Sequence, residues 1–362
     1  MLHSMQKLRR RSRIAIASGG VALVAAGAAF GTISTTAATA KSSCIKMLLE
    51  FKLQGLPVFE ANQKGVNAAA KTYGICSPVA YGGPATASAT GQVSDIQAAI
   101  SAHVKVIAMT SDDPQVPAPA LQQAMKAGIK VITFDSDVPS ARNFFIQDTA
   151  YNTIAAGVVK AAVGFAGKSA ELGIMSSTPD ATIQLAWIAA MTAYQKANYP
   201  NITWAPIGYG QSVTATSLTA ATSMIQSNPN IKAILPIDGA AVVGTAEAVN
   251  QLGKSGTIGV FGIGDPEPNA QYFANGSLQG LFLWNEVGQG ELIDCVASLA
   301  VKNKIKAGST FSCPGVNWKS VNAPGKWTVA SGTNSTTGAN KNTIIFSDPL
   351  EFTKSNYTQY NF

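Results

Sequence analysis

Five apolar runs in this chain end on carboxylates or amides. The stretch VITFDSD, residues 131–137, closes on Asp135 and Asp137; Asp112 and Asp113 follow the run ending at Met109. Asp238 follows ILPI, Asp265 follows FGIG and Asn285 follows LFLW. A carboxylate accepts two hydroxyl hydrogen bonds with charge assistance, and an aromatic face covers the C–H side of a sugar ring. Phe51, Phe59, Trp187 and Trp284 are the available faces. Together these residue types suit a small molecule rich in hydroxyls. Each also has a plainer use: an Asp after a strand caps a turn, and a lone aromatic packs a core.

Catalytic groups are scarce. After the first forty residues the only histidine is His103, at the end of an apolar-faced helix, so neither a Ser/His/Asp arrangement nor a His-containing zinc site can be assembled. Gly-Lys-Ser occurs at 167–169 and 253–255, but neither triplet has the glycine five residues earlier that a P-loop needs, and both precede strands. No cofactor or metal is expected. An exported hydrolase or lyase would need a general acid and base in one cleft, for which Asp112 and Asp113 are the available pair.

The elements that must position these groups follow an α/β pattern. Strands are predicted at Ile45–Phe51, Ile75–Tyr81, Val104–Met109, Ile129–Phe134 and Asn143–Gln147, with amphipathic stretches between them. A second alternation opens with a helix over Thr149–Ala166. Its strands are predicted at Ala170–Met175, Thr203–Ile207, Ile231–Pro236, Thr257–Ile263 and Ser277–Trp284. Parallel sheets place the polar groups at strand carboxyl ends, the edge where open α/β sheets bind ligands. A further helix runs over Glu286–Lys304, and Ser331–Asn342 reads as an exposed loop. A last apolar run, Thr343–Phe346, precedes an aromatic-rich ending with Phe352, Tyr357, Tyr360 and Phe362.

With 362 residues the chain exceeds one ordinary core, and 46% hydrophobic content suits a packed protein. Residues 1–40 carry Lys7, Arg9, Arg10, Arg11 and Arg13, then an apolar run from Ile14 to Phe30 and small residues ending in Ala38-Thr39-Ala40. That is the form of a secretory signal cut before Lys41, with an uncleaved membrane anchor as the alternative. Without it, 21 basic residues face 19 acidic ones, and no cluster of Lys and Arg interleaved with aromatics remains for nucleic acid. Export makes Cys44, Cys76, Cys295 and Cys313 candidates for disulfides. Cys44 and Cys76 each begin a predicted strand, which suits a Cys44–Cys76 and Cys295–Cys313 pairing among the three that four cysteines allow. Lipidation of Cys44 is the competing use.

Four stretches resemble a known family: YGGPATASATGQVSDIQAAI (81–100), PAPALQQAMKAGIKVITFDSD (117–137), FLWNEVGQGELIDCVASLA (282–300) and FTKSNYTQYNF (352–362). They are similar to periplasmic substrate-binding proteins of ribose-type ABC importers, with the closest likeness to the autoinducer-2 and rhamnose-binding branch. The resemblance implies a type I periplasmic binding protein fold, with two Rossmann-like lobes joined by three crossovers and the ligand in the cleft between them. It divides the chain into a signal (1–40), an N-terminal lobe (41–147 plus 285–310), a C-terminal lobe (148–284 plus 343–362) and an irregular crossover segment (311–342). It carries a ligand-binding role onto Lys52 and Asp135. The adjacent Asp and Gln of the branch fall on Ile183 and Gln184, and its Pro-Asp-Ala falls on Ile237, Asp238 and Gly239. With that carboxylate lost, a monosaccharide or related polyol fits better than autoinducer-2, and Lys52 leaves a sugar acid open. The expected partner is an ABC permease, and the expected state is a monomer in the periplasm. A sensory receptor feeding chemotaxis or a kinase is the alternative. A sugar-responsive transcription regulator would need a helix-turn-helix where the signal stands.

Overall fold

The computed structural model describes residues 44–335 and 337–360. The expected signal segment, its cleavage site before Lys41 and Phe362 lie outside the described residues. The first half contains β1 (Met47–Glu50), α1 (Pro57–Tyr73), β2 (Ala80–Gly82), α2 (Ala89–Ser101), β3 (Val106–Met109), α3 (Ala118–Lys126), β4 (Lys130–Phe134) and β5 (Phe144–Gln147). Next come α4 (Tyr151–Ala166), β6 (Glu171–Ser176), α5 (Thr182–Asn198), β7 (Thr203–Trp204), β8 (Gly208–Tyr209), α6 (Thr214–Ser227), β9 (Ile231–Pro236) and α7 (Gly239–Gln251). The chain ends with β10 (Gly259–Ile263), α8 (Ala270–Asn275), β11 (Gly280–Leu283), α9 (Glu286–Val301), β12 (Thr310–Ser312), β13 (Lys326–Thr328), β14 (Thr343–Ile345) and β15 (Leu350–Thr353). Among the described residues, no helix is long and apolar enough to cross a membrane.

Two sheets organise the described residues. The first runs β14-β5-β4-β3-β1-β2, and all its pairs are parallel. The second runs β15-β11-β10-β9-β6-β7, with β8 also on β6, and is parallel except where β15 lies antiparallel on β11. Period-two alternation explains how the first sheet is covered on both faces. Leu48, Ile107 and Val131 join Ile96 and Leu121 in one apolar cluster, while Met47, Leu49, Val106, Ala108 and Ile132 belong to the other. Each such fully buried Leu or Ile contributes about 2 kcal/mol.

The predicted strand over Thr203–Ile207 is instead two short pieces, β7 and β8, on either side of Pro206. Proline has no N–H to donate to a ladder, so pairing stops there and resumes further along β6. The third crossover, expected after Phe311, is also corrected. Thr343–Ile345 pairs with β5 of the first sheet, so 343–362 does not belong wholly to the second lobe. The chain changes sheets between Ile345 and Leu350. Residues 311–342 hold an antiparallel pair, β12 with β13, around Trp327, whose ring stacks on Phe311 and meets Trp318 edge-on. That aromatic packing was hidden by the polar loop beside it.

Disulfides join Cys44 to Cys76 and Cys295 to Cys313. The first clips the starts of β1 and β2, where Ile45 bridges Ile75. The second ties α9 to the chain leading out of β12. Helices α1 and α9 pack with their backbones in contact. A Cβ at Gly65 would collide with the Val287 carbonyl, and one at Gly290 with the Asn62 carbonyl, so these two positions require glycine. This close crossing carries Asn62 to the first turn of α9.

Candidate ligand-binding site

Asp135 is the meeting point of the first sheet's strand ends. It leaves β4 in the left-handed region, φ 54°, which a short polar side chain tolerates better than most. Its Oδ2 accepts a hydrogen bond from Thr110 Oγ1 at 2.6 Å and lies 2.5 Å from Lys52 Nζ. Thr110 follows β3 and Lys52 follows β1, so three adjacent strands supply one group each. Gln92 of α2, fully buried, holds two of those strand ends together. Its Nε2 donates to Phe51 O at 3.0 Å and to Thr110 O at 2.7 Å, while its Oε1 accepts from Asp112 N at 3.0 Å. Asp112 accepts from Ser88 N at 2.9 Å. Burial raises its carboxyl above the ordinary value, and the Lys52 charge opposes this.

A second layer comes from β5 and α9. Asp148, just after β5, accepts from Gln289 Nε2. Gln289 Oε1 accepts from Asn62 Nδ2 at 3.2 Å and Trp284 Nε1 at 3.3 Å; Glu286 Oε2 accepts from the same two donors at 3.1 and 3.0 Å. Burial lifts Glu286 well above its usual range, helped by the charges of Asp265, Asp148 and Asp135. Burial also lifts Asp148, with Asp135 the nearest added cause. Burial thus favours the protonated form of both carboxyls, the form that offers a donor as well as acceptors. Asp148 Oδ2 and Glu286 Oε1 have no partner in the protein.

The second sheet contributes from the opposite side. Asp265 follows β10; its Oδ1 lacks a protein partner, and burial pushes its pKa to about 7. On α5, Gln184 Oε1 and Trp187 Nε1 are buried without partners, and the Trp187 ring lies 6.1 Å from that of Trp284. Asp238 caps α7 through Ala241 N at 3.1 Å and accepts from Ser212 Oγ at 2.9 Å. Burial raises it, while these bonds and the Lys52 charge work the other way. Lys52 acting on Asp238, and Asp265 acting on Glu286, bring the ends of both sheets to one site.

The structure thus brings together Lys52, Asp112, Asp135, Asp238 and Asp265, and it adds Trp187 through its contact with Trp284. Phe51 and Phe59 stack on each other at 5.1 Å, with Phe134 edge-on at 6.3 Å from Phe51, so their rings pack the core of the first half. Asp137 is not brought in. Arg142 Nε engages both its oxygens, at 2.7 and 2.8 Å, and Thr133 donates to it as well. Asn285 caps α9, accepting from Gly288 N at 2.8 Å. Sequence reasoning missed Asp148, Glu286, Gln289, Asn62, Thr110 and Gln92. FFIQ ending on Asp148 is the same strand-end signal as the others, whereas Asn62 had none, since it arrives through a helix crossing. Among the described residues, no group of three or more His, Cys, Asp or Glu is placed to hold a metal ion.

Chemically, the site is a set of buried carboxyls and amides beside two indoles. Buried polar atoms are costly unless hydrogen-bonded, so these atoms suit the hydroxyls of a bound molecule. Residues 51–304 match the family described as periplasmic binding protein domain. The chain belongs to this family. Its α/β architecture, with two parallel-sheet lobes, is the type I periplasmic binding protein fold. Among solved structures, this periplasmic binding protein is similar to an ABC transporter solute-binding protein from Clostridium phytofermentas with bound L-rhamnose. The two share 25% identity at a TM-score of 0.80, over 88% of this chain and 98% of that one. LsrB from Clostridium saccharobutylicum, in complex with AI-2, shares the fold at a TM-score of 0.78 and 24% identity, over 88% of this chain and 100% of that one. A sugar ABC transporter from Actinomyces odontolyticus aligns at 0.68 and 25% identity, over 88% and 98%.

Proposed function

We propose that the protein is an extracytoplasmic solute-binding protein that captures a neutral monosaccharide or related polyol and delivers it to an ABC permease. One observation carries this reading. Asp148 Oδ2, Glu286 Oε1, Asp265 Oδ1, Gln184 Oε1 and Trp187 Nε1, contributed by both halves of the molecule, are buried without protein partners beside the Trp187–Trp284 pair. A pyranose or furanose presents hydroxyls to such atoms and a C–H face to an indole. The bound L-rhamnose, D-fucose and D-arabinose of structural relatives support that class. The sugar-acid option recedes, because Lys52 is already paired with Asp135 and the surrounding groups are carboxyls. In this reading residues 44–147 and 285–345 form one lobe, and 148–284 with 350–360 the other. They close on the ligand by bending at the three passages between sheets.

The protein acts here as a receptor, monomeric and outside the cytoplasm, with Lys52, Asp135, Asp148, Glu286, Asp265, Gln184, Trp187 and Asp238 contacting or orienting the ligand. Thermal unfolding against pentoses, hexoses, deoxysugars, sugar acids and autoinducer-2 tests it. A ligand at about a hundred times its dissociation constant adds roughly 2.7 kcal/mol, a shift of several degrees. A shift with one neutral sugar class, lost in Asp135→Ala, is the expected result. No shift with any neutral sugar, or conversion of the bound sugar to product, would overturn the reading.

A further inference from the structure

The third passage between the sheets carries a pocket of its own. Residues 345–348 form one wall, and the other comes from Lys319, in a short 3-10 helix over Trp318–Val321, with Asn322, Ala323 and Pro324 after it. Its volume is about 360 Å³, within the range of small-molecule sites. Trp327 Nε1 fixes the first wall by donating to Phe346 O at 2.9 Å, and Asn322 Nδ2 reaches across to Asp348 O at 3.4 Å. None of the lining residues belongs to the sugar cleft described above.

Three observations say what would fit. Ser347 is 5% exposed, lines the pocket, and its hydroxyl has no partner in the protein. A buried hydroxyl without a partner is unfavourable, and an alanine would fill the same space without that cost. Lys319 and Asp348 bring one ammonium and one carboxylate, both exposed; among the described residues, neither lies within ion-pair distance of an opposite charge. Ala323, Pro324, Ile345 and Phe346 supply an apolar wall. A cation, an anion and a hydroxyl around such a wall complement a zwitterion with a small apolar body.

We propose that this pocket is a second ligand site, for a free α-amino acid with an apolar side chain. Its carboxylate meets Lys319 and the Ser347 hydroxyl, its ammonium meets Asp348, and its side chain rests on the apolar wall. The pocket adjoins the sugar cleft through two contacts. Ser347 N donates to Asp148 O at 3.2 Å. Val321 and Phe346 both crowd the Cα of Gly288, in the turn of α9 that carries Glu286 and Gln289. An occupant stiffens the passage that bends on closure, so amino acid and sugar each alter the other's affinity by the same factor. That consequence rests on the sugar-binding reading; the site itself does not.

Calorimetric titration of the sugar-free protein with L-alanine, L-valine and L-leucine tests the site independently of any sugar. We expect binding at millimolar concentration or tighter, and none by L-leucinamide or 4-methylpentanoate, which lack the carboxylate and the ammonium respectively. Lys319→Met/Asp348→Asn should bind about tenfold more weakly. Ser347→Ala should lose about fivefold and melt no lower, since it removes an unpaired buried group. With a sugar bound, the amino acid's dissociation constant should change; an unchanged value would strike the coupling. Binding of either analogue as well as of leucine would overturn the zwitterion assignment. Affinity unaltered by all three substitutions would place the amino acid outside this pocket, and no binding by any of the three amino acids would overturn the proposal outright.

Discussion

The Lys52 ammonium and the Asp135 carboxylate meet 2.5 Å apart across the end of β3, each side chain less than a fifth exposed. Two strands that do not touch are thereby joined over the Thr110 hydroxyl. Removing one partner leaves the other charge in a poorly solvated place, whereas removing both does not. Lys52→Met should cost about 2 kcal/mol of unfolding free energy, and Lys52→Met/Asp135→Asn should recover most of it. Urea denaturation of the four proteins in a double-mutant cycle checks this; additive losses would mean the pair is not coupled.

Trp187 has a buried N–H with no protein acceptor. Trp187→Phe retains a ring against Trp284 but removes that donor. Sugar affinity should fall about tenfold, near the worth of one hydrogen bond, while the ligand-free protein melts no lower. Calorimetric titration beside a melting curve separates the two effects, and unchanged affinity with lower stability would make Trp187 a packing residue only.

Asp294 on α9 is fully buried with both oxygens unpartnered, and burial, then Glu291, pushes its pKa to about 8. The folded protein keeps a proton that the unfolded chain releases near pH 4. Its contribution is thus complete below about pH 4 and is lost progressively as the pH climbs toward 8. Asp294→Asn should raise the melting temperature by several degrees at pH 8 and hardly alter it at pH 4.5. Glu50, raised to about 9 by burial and then by Asp95, slopes the same way, so part of the pH dependence remains. A shift of equal size at both pH values would count against the titration of Asp294.

A methyl group at Gly290 must displace the Asn62 carbonyl or the Val66 amide. Gly290→Ala should therefore cost about 2 kcal/mol and, by moving α9, misplace Glu286 and Gln289 and weaken sugar binding. Gly332→Ala, where a Cβ meets nothing, is the matched control. Retained affinity in a destabilised Gly290→Ala protein would uncouple the helix crossing from the site.

The order of strands and helices was readable because each run is either fully buried or period-two, and Asp135 was readable because it ends such a run. The disulfide pairing followed from strand starts that lie side by side. What the sequence hid is non-local. Gln289 reaches Asp148 across 141 residues and Asn62 reaches Glu286 across 224, through a crossing made by two glycines. Asp137 looked like its neighbour two residues away, yet Arg142, five residues on, closes back upon it.

The chain passes between its two sheets three times, after Gln147, at Trp284 and between Ile345 and Leu350. Two bodies on one tether can trade partners when concentrated, each copy lending a lobe to the next. Here such an exchange would require three segments to withdraw and rethread together, the last of them locked between β5 and β11. Interlocked dimers are therefore topologically remote, and the same triple connection leaves the pair of lobes one bending direction where a single linker would permit any swivel.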